Sequence, residues 1–319
     1  MTDEQRGGGA DGESPKPPEH PDGAEPRGVS RRTVVAVSVG AGVALLAAGA
    51  AVVTPLLTGR GGLLGPAPTP TPTPVPSTTL TVAHRGGSRD WPEMSMLGYA
   101  NSAKLGAQAL EISLARTKDG VWFGLHDPTL DRTSGTTDFV AADHTWQEVS
   151  QYRITAAQTT NPAQPAQPYL RFEELVDAFA ASRVIYVDPK IVPAQHHPEL
   201  FAMMARAPAP TRTFVAKGYC TATEWAQEAS RRGYPTWGYY YAADLHSDPH
   251  LLESTQSRWT TLGLDYTASP AVWKRVKAYG KPVLAHVVPD AAAAQRALQR
   301  GAAGIVASGV REVLAEARG

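Results

Sequence analysis

Between residues 80 and 307 the chain alternates short apolar runs with stretches of helical periodicity. The runs fall at 80–84, 108–115, 183–189, 213–217, 235–241, 262–267, 282–288 and 303–307. Short runs rich in β-branched and aromatic residues read as strands, and strands alternating with amphipathic helices indicate a parallel α/β architecture. The helices are punctuated. Phe172, Leu175, Val176 and Phe179 repeat at i, i+3, i+4 and i+7, one buried stripe. Thr221 with Glu224 has capping-box spacing, and Gly233 closes that helix. Ser269 followed by Pro270 predicts an N-cap and first turn, with Gly280 as the stop. Asp290 predicts a cap for a run ending at Arg300 and Gly301. Eight strands with helices between them predict a (β/α)8 barrel, an α/β fold. A doubly wound open sheet is the alternative, because periodicity does not give strand order.

The pattern before residue 79 is different. Residues 1–30 are rich in Gly, Pro, Asp and Glu, which predicts a disordered tail. Residues 31–59 contain the uncharged run "TVVAVSVGAGVALLAAGAAVVTPLLTG", long enough to cross a bilayer. Arg27, Arg31 and Arg32 precede it and Arg60 follows, so the positive-inside bias places the tail in the cytoplasm and the rest outside. A retained single-pass membrane anchor is the favoured expectation. A cleaved export signal is the alternative, on the twin arginines and Ala48-Gly49-Ala50. Residues 60–78 form a linker whose "PAPTPTPTPVPST" stretch favours polyproline II, about 40 Å at ~3.1 Å per residue. Residues 79–319 are the barrel.

Charge and cysteine content narrow the function classes. Lys plus Arg and Asp plus Glu both number 30 among 319 residues, which gives no sign of a nucleic-acid partner. The single cysteine, Cys220, excludes an intramolecular disulfide framework and a Cys-rich zinc site, and reads as a small buried hydrophobe.

The chemistry-bearing residues stand at strand ends. "LTVAHRGGSRDWPE" (80–93) leaves its apolar run on His84 and Arg85, and Pro92-Glu93 reads as a helix start. "QALEISLARTKDGVWFGLHD" (108–127) places two strand-like runs about "TKDG", a turn sequence that predicts a β-hairpin after the second strand. With Thr117 opposite Gly120, counting sets Glu111 opposite His126. "RVIYVDPK" closes an apolar run on Asp188 and Lys190. Carboxylates suit a hard divalent cation such as Ca2+ or Mg2+. Arg and Lys suit phosphate oxygens, and two histidines suit proton removal from one oxygen and delivery to another. The set His84, Arg85, Glu111, His126, Asp188 and Lys190 therefore points to metal-assisted phosphodiester cleavage. "WGYYY" (237–241) would lie near the same mouth, as pocket wall or as packing, and 127–170 reads as a long loop. His196, His197, His246 and His250 read as surface residues.

"HRG…PE" (84–93), "LEIS…TKDG…HD" (110–127), "DRTSG" (131–135), "YVDPK" (186–190) and "GAAGIVAS" (301–308) resemble the glycerophosphodiester phosphodiesterase family. The resemblance implies a (β/α)8 barrel that hydrolyses glycerophosphodiesters to an alcohol and glycerol 3-phosphate, through attack by the substrate's own glycerol hydroxyl and a cyclic phosphate. Carried over, His84 and His126 are the acid/base pair, and Arg85 and Lys190 bind phosphoryl oxygens. Glu111 and Asp188 hold the metal, and Glu93 orients Arg85 besides capping a helix. The chain departs from the family pattern at several positions. Ser113 puts a hydroxyl where that pattern has Asp, so the expected ligands are Glu111, Asp188 and Ser113. Asp188 stands where Glu is usual, Met94 replaces the Asn after Pro-Glu, and Asp188-Pro189-Lys190 is similar to sphingomyelinase D-type phospholipases. The expected substrate is thus a glycerophosphodiester or a lysophospholipid-type molecule. A lyase forming cyclic phosphates and a non-catalytic binding barrel are the alternatives.

Overall fold

The computed structural model describes residues 79–315. The predicted segments 1–30, 31–59 and 60–78 lie outside them, and among the described residues no helix is long and apolar enough to cross a membrane.

Eight parallel strands close a barrel: β1 (Leu80–Ala83), β2 (Ala109–Arg116), β3 (Val184–Asp188), β4 (Phe214–Tyr219), β5 (Thr236–Tyr240), β6 (Thr261–Asp265), β7 (Val283–Val288) and β8 (Gly304–Ala307). Each pairs with its neighbour in sequence, and β8 returns to β1 with Leu80 opposite Gly304 and Ala83 opposite Ala307. Closure rules out the open sheet. The period-2 alternation of strands sorts their side chains into two cores. Val82, Ala109, Tyr186, Trp237, Leu284 and Val306 pack together inside the barrel. Their neighbours Ala83, Leu110, Ile185, Leu262, Ala285 and Ile305 pack outward against the helices. Gly263 is an inward position left without a side chain: a Cβ there would stand 2.7 Å from the Trp237 ring.

Helix punctuation follows the expected residues in most places. Ser269 Oγ accepts from Val272 N ahead of Pro270–Lys277, and an Asp290 carboxylate oxygen accepts from Ala293 N ahead of Ala291–Gln299. Two expectations are corrected. The helix Thr223–Arg231 starts too late for Thr221 to cap it, and its N-cap residue is Ala222 with no side-chain bond. Pro92-Glu93 precedes rather than opens a helix: Met96–Leu105 begins three residues on, and Ser95 Oγ accepts from Gly98 N at 3.1 Å.

The hairpin register also differs from the count. The end of β2 pairs antiparallel with Trp122–Gly124, Leu114 opposite Gly124 and Arg116 opposite Trp122. Thr117 N bonds to Val121 O while Gly120 N bonds to Thr117 O, with Gly120 at φ +90°. A three-residue connection with a left-handed glycine thus replaces the two-residue turn, and the added residue slips the register by one. Glu111 and His126 are not cross-strand partners.

The stretch 127–170 is built rather than a bare loop. It holds the helical turns Asp131–Ser134, Ala141–Asp143 and Trp146–Val149 and a strand pair, Arg153–Ile154 with Gln167–Pro168. Leu130, Ala141, Val149, Ile154 and Tyr169 form a small core with Ala115, Phe123 and Leu125. It packs on the carboxyl end of β2, beside the barrel mouth.

Candidate active site

The turn after β1 is drawn inward by its backbone. His84–Gly86 is a single 3-10 turn in which Arg85 holds φ +49°, a left-handed conformation unfavourable for a residue with a Cβ. It is fixed from several sides. Arg85 N donates to Glu111 Oε2 at 2.7 Å, Met94 N donates to Arg85 O at 2.7 Å, and Ser102 Oγ donates to Gly86 O at 3.0 Å. Gly86 carries φ +76° and lies so close to the helix Met96–Leu105 that a Cβ on Gly98 would stand 2.9 Å from Gly86 O. His84 therefore points over the barrel with Nε2 4.0 Å from Glu111 Oε2. Met94 is itself left-handed at φ +52°, so the residue where the family pattern has Asn carries strain.

A second group comes from the far side of β2. His126 Nδ1 bonds to Asp127 Oδ1 at 2.6 Å, and its Nε2 faces Lys190 Nζ at 2.9 Å. An ionised Asp127 is acceptor-only, which assigns the proton to Nδ1 and the lone pair to Nε2. Asp127 also accepts from Arg132 Nε at 2.5 Å. Arg132 grips Glu93 with both terminal nitrogens, 2.8 Å each, and Glu93 reaches Arg85 at 3.4 Å. The chain His126–Asp127–Arg132–Glu93–Arg85 thus ties the two groups together. Burial alone would raise Glu93 and Asp127. The Arg85 and Arg132 guanidiniums outweigh it at Glu93 and hold its pKa at about 2, while His126 and Arg132 hold Asp127 well below the usual range.

The third group lies in the barrel. Glu111 and Asp188 sit two residues beyond Ala109 and Tyr186, so strand alternation turns them inward, and both are buried. Between them stands Lys217 of β4, its Nζ 2.9 Å from Glu111 Oε1 and 2.9 Å from Asp188 Oδ2. The same ammonium lies 4.9 Å from the Tyr239 ring centroid. Ser113 Oγ donates to Glu111 Oε1 at 3.3 Å. Burial would raise Glu111, but Lys217, His84 and Arg85 hold its pKa at about 2. Glu111, Asp188 and Ser113 do converge, yet only two are carboxylates and a lysine bridges them. Among the described residues no group of three or more His, Cys, Asp or Glu side chains is placed to hold a metal ion. With the Lys217 ammonium between them, Glu111 Oε1 and Asp188 Oδ2 are not open to a divalent cation.

The family model described as "Glycerophosphoryl diester phosphodiesterase family" matches residues 84–308, from the first histidine of this site to the end of β8. The chain belongs to that family. The glycerophosphodiester phosphodiesterase of Bacillus subtilis is 34% identical over 119 residues, 35% of this chain and 40% of the relative. The matches to such curated relatives span less than half their length. Among solved structures, the glycerophosphodiester phosphodiesterase of Agrobacterium tumefaciens superposes at TM-score 0.58 with 17% identity, covering 74% of this chain and 99% of that one. A phosphodiesterase of Oleispira antarctica in complex with the product sn-glycerol-3-phosphate superposes at 0.58 with 16% identity, covering 75% and 96%. At these identities the structures show a shared fold.

In this family member all the residues expected at the mouth from sequence are found there: His84, Arg85, Glu93, Glu111, Ser113, His126, Asp188 and Lys190. Three partners were not expected. Asp127 and Arg132 lie inside motifs that could be read, "HD" and "DRTSG", but carried no role. Lys217 interrupts the apolar run "TFVAKGYC", and a lone charge inside a barrel strand was the signal for it. Glu93 proves to be an arginine clamp and not a helix cap. Tyr219, Tyr239, Tyr241 and His286 form a ring cluster with centroids 5.3–6.4 Å apart, so from "WGYYY" Tyr239 and Tyr241 join this cluster while Tyr240 packs in the outer core.

Proposed function

We propose that this chain hydrolyses glycerophosphodiesters to an alcohol and glycerol 3-phosphate, with His126 and His84 as the proton-handling pair. The observation that carries the reading is the His126 geometry. Asp127 holds Nδ1–H, so Nε2 is the acceptor that faces the mouth; Lys190 Nζ donates to it at 2.9 Å, and a substrate hydroxyl that takes the ammonium's place meets a general base. His84 stands across the site, its Nε2 4.0 Å from the buried carboxylate of Glu111. In the first step one imidazole takes the proton of the attacking hydroxyl while a new O–P bond forms. The other gives its proton to the departing alkoxide as the old P–O bond breaks. With water as the second attacker the two reverse roles, and the cyclic phosphate opens to a monoester. Arg85 and Lys190 present cations to the phosphoryl oxygens, where negative charge accumulates in the transition state. The phosphodiesterases cited above, one solved with sn-glycerol-3-phosphate, support this substrate class.

The sequence before residue 79 supports an extracytoplasmic placement. An uncharged apolar run preceded by Arg27, Arg31 and Arg32 and followed by a Pro/Thr spacer would hold the barrel outside the membrane. The test of activity is coupled detection of glycerol 3-phosphate from glycerophosphocholine and glycerophosphoglycerol. Release by the full-length chain that His84→Ala and His126→Ala both lack supports the reading. Binding without release by a folded protein would make it a binding barrel.

A further inference from the structure

The centre of the barrel mouth holds a cation that belongs to the chain. Lys217 is 3% exposed, and its ammonium touches one oxygen from each of two buried carboxylates at 2.9 Å. Hard divalent ions bind carboxylate oxygens at about 2.0–2.6 Å. An ion bridging Glu111 Oε1 and Asp188 Oδ2 would therefore have to take the place of Nζ or stand against its charge. Two further features make the lysine's position a built one. The Tyr239 ring backs the ammonium at 4.9 Å, a cation–π contact, and Trp225 Nε1 donates to Lys217 O at 3.0 Å, fixing the backbone below it. The charges also balance. Ser113 carries no charge where a third carboxylate would stand, and Lys217 contributes one positive charge rather than two. Glu111, Asp188 and Lys217 together carry one negative charge, the same as three carboxylates around a dication.

We propose that Lys217 is the resident cation of this site and replaces the divalent ion, so that the chain binds and cleaves its phosphodiester without one. The inference rests on the phosphodiesterase reading of the mouth. The lysine offsets one of the two negative charges of Glu111 and Asp188, and it leaves Glu111 Oε2 to hold the Arg85 backbone and face His84. It is a positioning residue, acting through the two carboxylates, and the covalent steps are unchanged by it.

The test reads ion binding separately from turnover. The full-length chain, purified in detergent and stripped with EDTA, is titrated calorimetrically with Ca2+, Mg2+ and Mn2+, and its thermal unfolding is followed with and without each ion. The wild type is expected to show no binding that Glu111→Gln abolishes and a Tm shift under ~1 °C. Ser113→Asp combined with Lys217→Ala opens the centre and restores a third carboxylate. That variant is expected to gain saturable binding and, at an ion concentration a hundredfold above Kd, a rise of roughly 5–10 °C in Tm. Saturable divalent-ion binding by the wild type that Glu111→Gln removes would overturn the inference, whether or not the double variant folds. Glycerol 3-phosphate release is expected to change less than twofold in EDTA, and a tenfold loss restored by Ca2+ or Mg2+ would overturn it as well. A wild type that neither turns over nor binds an ion defeats the phosphodiesterase reading and with it the metal-free cleavage, leaving only Lys217 as the cation between the two carboxylates.

Discussion

Glu93→Gln removes one negative charge from the clamp and keeps its shape. In the native protein the carboxylate accepts two bonds from Arg132 at 2.8 Å and one from Arg85 at 3.4 Å. It is 8% exposed. Burial raises its pKa, the two arginines lower it more, and the value falls from 4.5 to about 2. A carboxylate whose folded pKa is depressed stabilises the fold above its unfolded pKa and loses that contribution as pH falls through the folded value. The window for Glu93 is therefore pH 4.5 down to about 2. At about 1.4 kcal/mol per pKa unit, the charge contributes on the order of 3 kcal/mol at neutral pH and on the order of 1 kcal/mol at pH 3. Glutamine keeps one acceptor oxygen but not the charge, so Glu93→Gln should cost on the order of 3 kcal/mol at pH 7. Urea unfolding of the wild type and the variant at pH 7 and pH 3 measures it. The gap between the two proteins should narrow by about 2 kcal/mol on acidification. A gap equal at both pH values would refute the electrostatic account and leave a packing defect as the cause.

Other perturbations test separate parts of the structure. His126→Ala should reduce turnover by about 10²–10⁴-fold with little change in Tm, and Asp127→Asn should reduce it less, by releasing the imidazole from its tautomer; steady-state kinetics of both variants decide this. Cys220 is fully buried and its thiol is pushed up to about 12, so a maleimide should label it only at the rate of global unfolding. Labelling of the native protein at the rate of a free thiol would contradict that burial. Gly238 lies against Trp259, where an added Cβ would overlap the indole ring, so Gly238→Ala should destabilise by about 1–3 kcal/mol in chemical unfolding.

The barrel was legible in the sequence because strand burial writes itself as short apolar runs, and each predicted run lies within two residues of an observed strand. The polar ends of those runs were legible for the same reason, since a histidine or carboxylate closing a buried strand needs a site to justify it. What was hidden depends on partners from other strands. Lys217 reads alone as an odd residue in "TFVAKGYC", and its meaning appears only when β2 and β3 bring Glu111 and Asp188 to either side. Arg132 is likewise one charge in a turn until Glu93 and Asp127, 39 and 5 residues away, converge on it. The hairpin count failed on a single left-handed glycine, Gly120, which two-residue turn chemistry does not anticipate. His126 reaches the mouth all the same, through the two residues beyond the ladder and its hold on Asp127. The core of 127–170 escaped notice because its apolar residues are spread singly across short elements with no sustained period.

The mouth is expected to carry a phosphodiester through to an open monoester. Phosphorus NMR of glycerophosphocholine incubated with the full-length chain follows every phosphorus species at once. The diester resonance is expected to convert to glycerol 3-phosphate with the wild type and to persist with His126→Ala. Accumulation of a cyclic phosphate as the end product would make the protein a lyase, and an unchanged diester over a folded wild type would contradict the account outright.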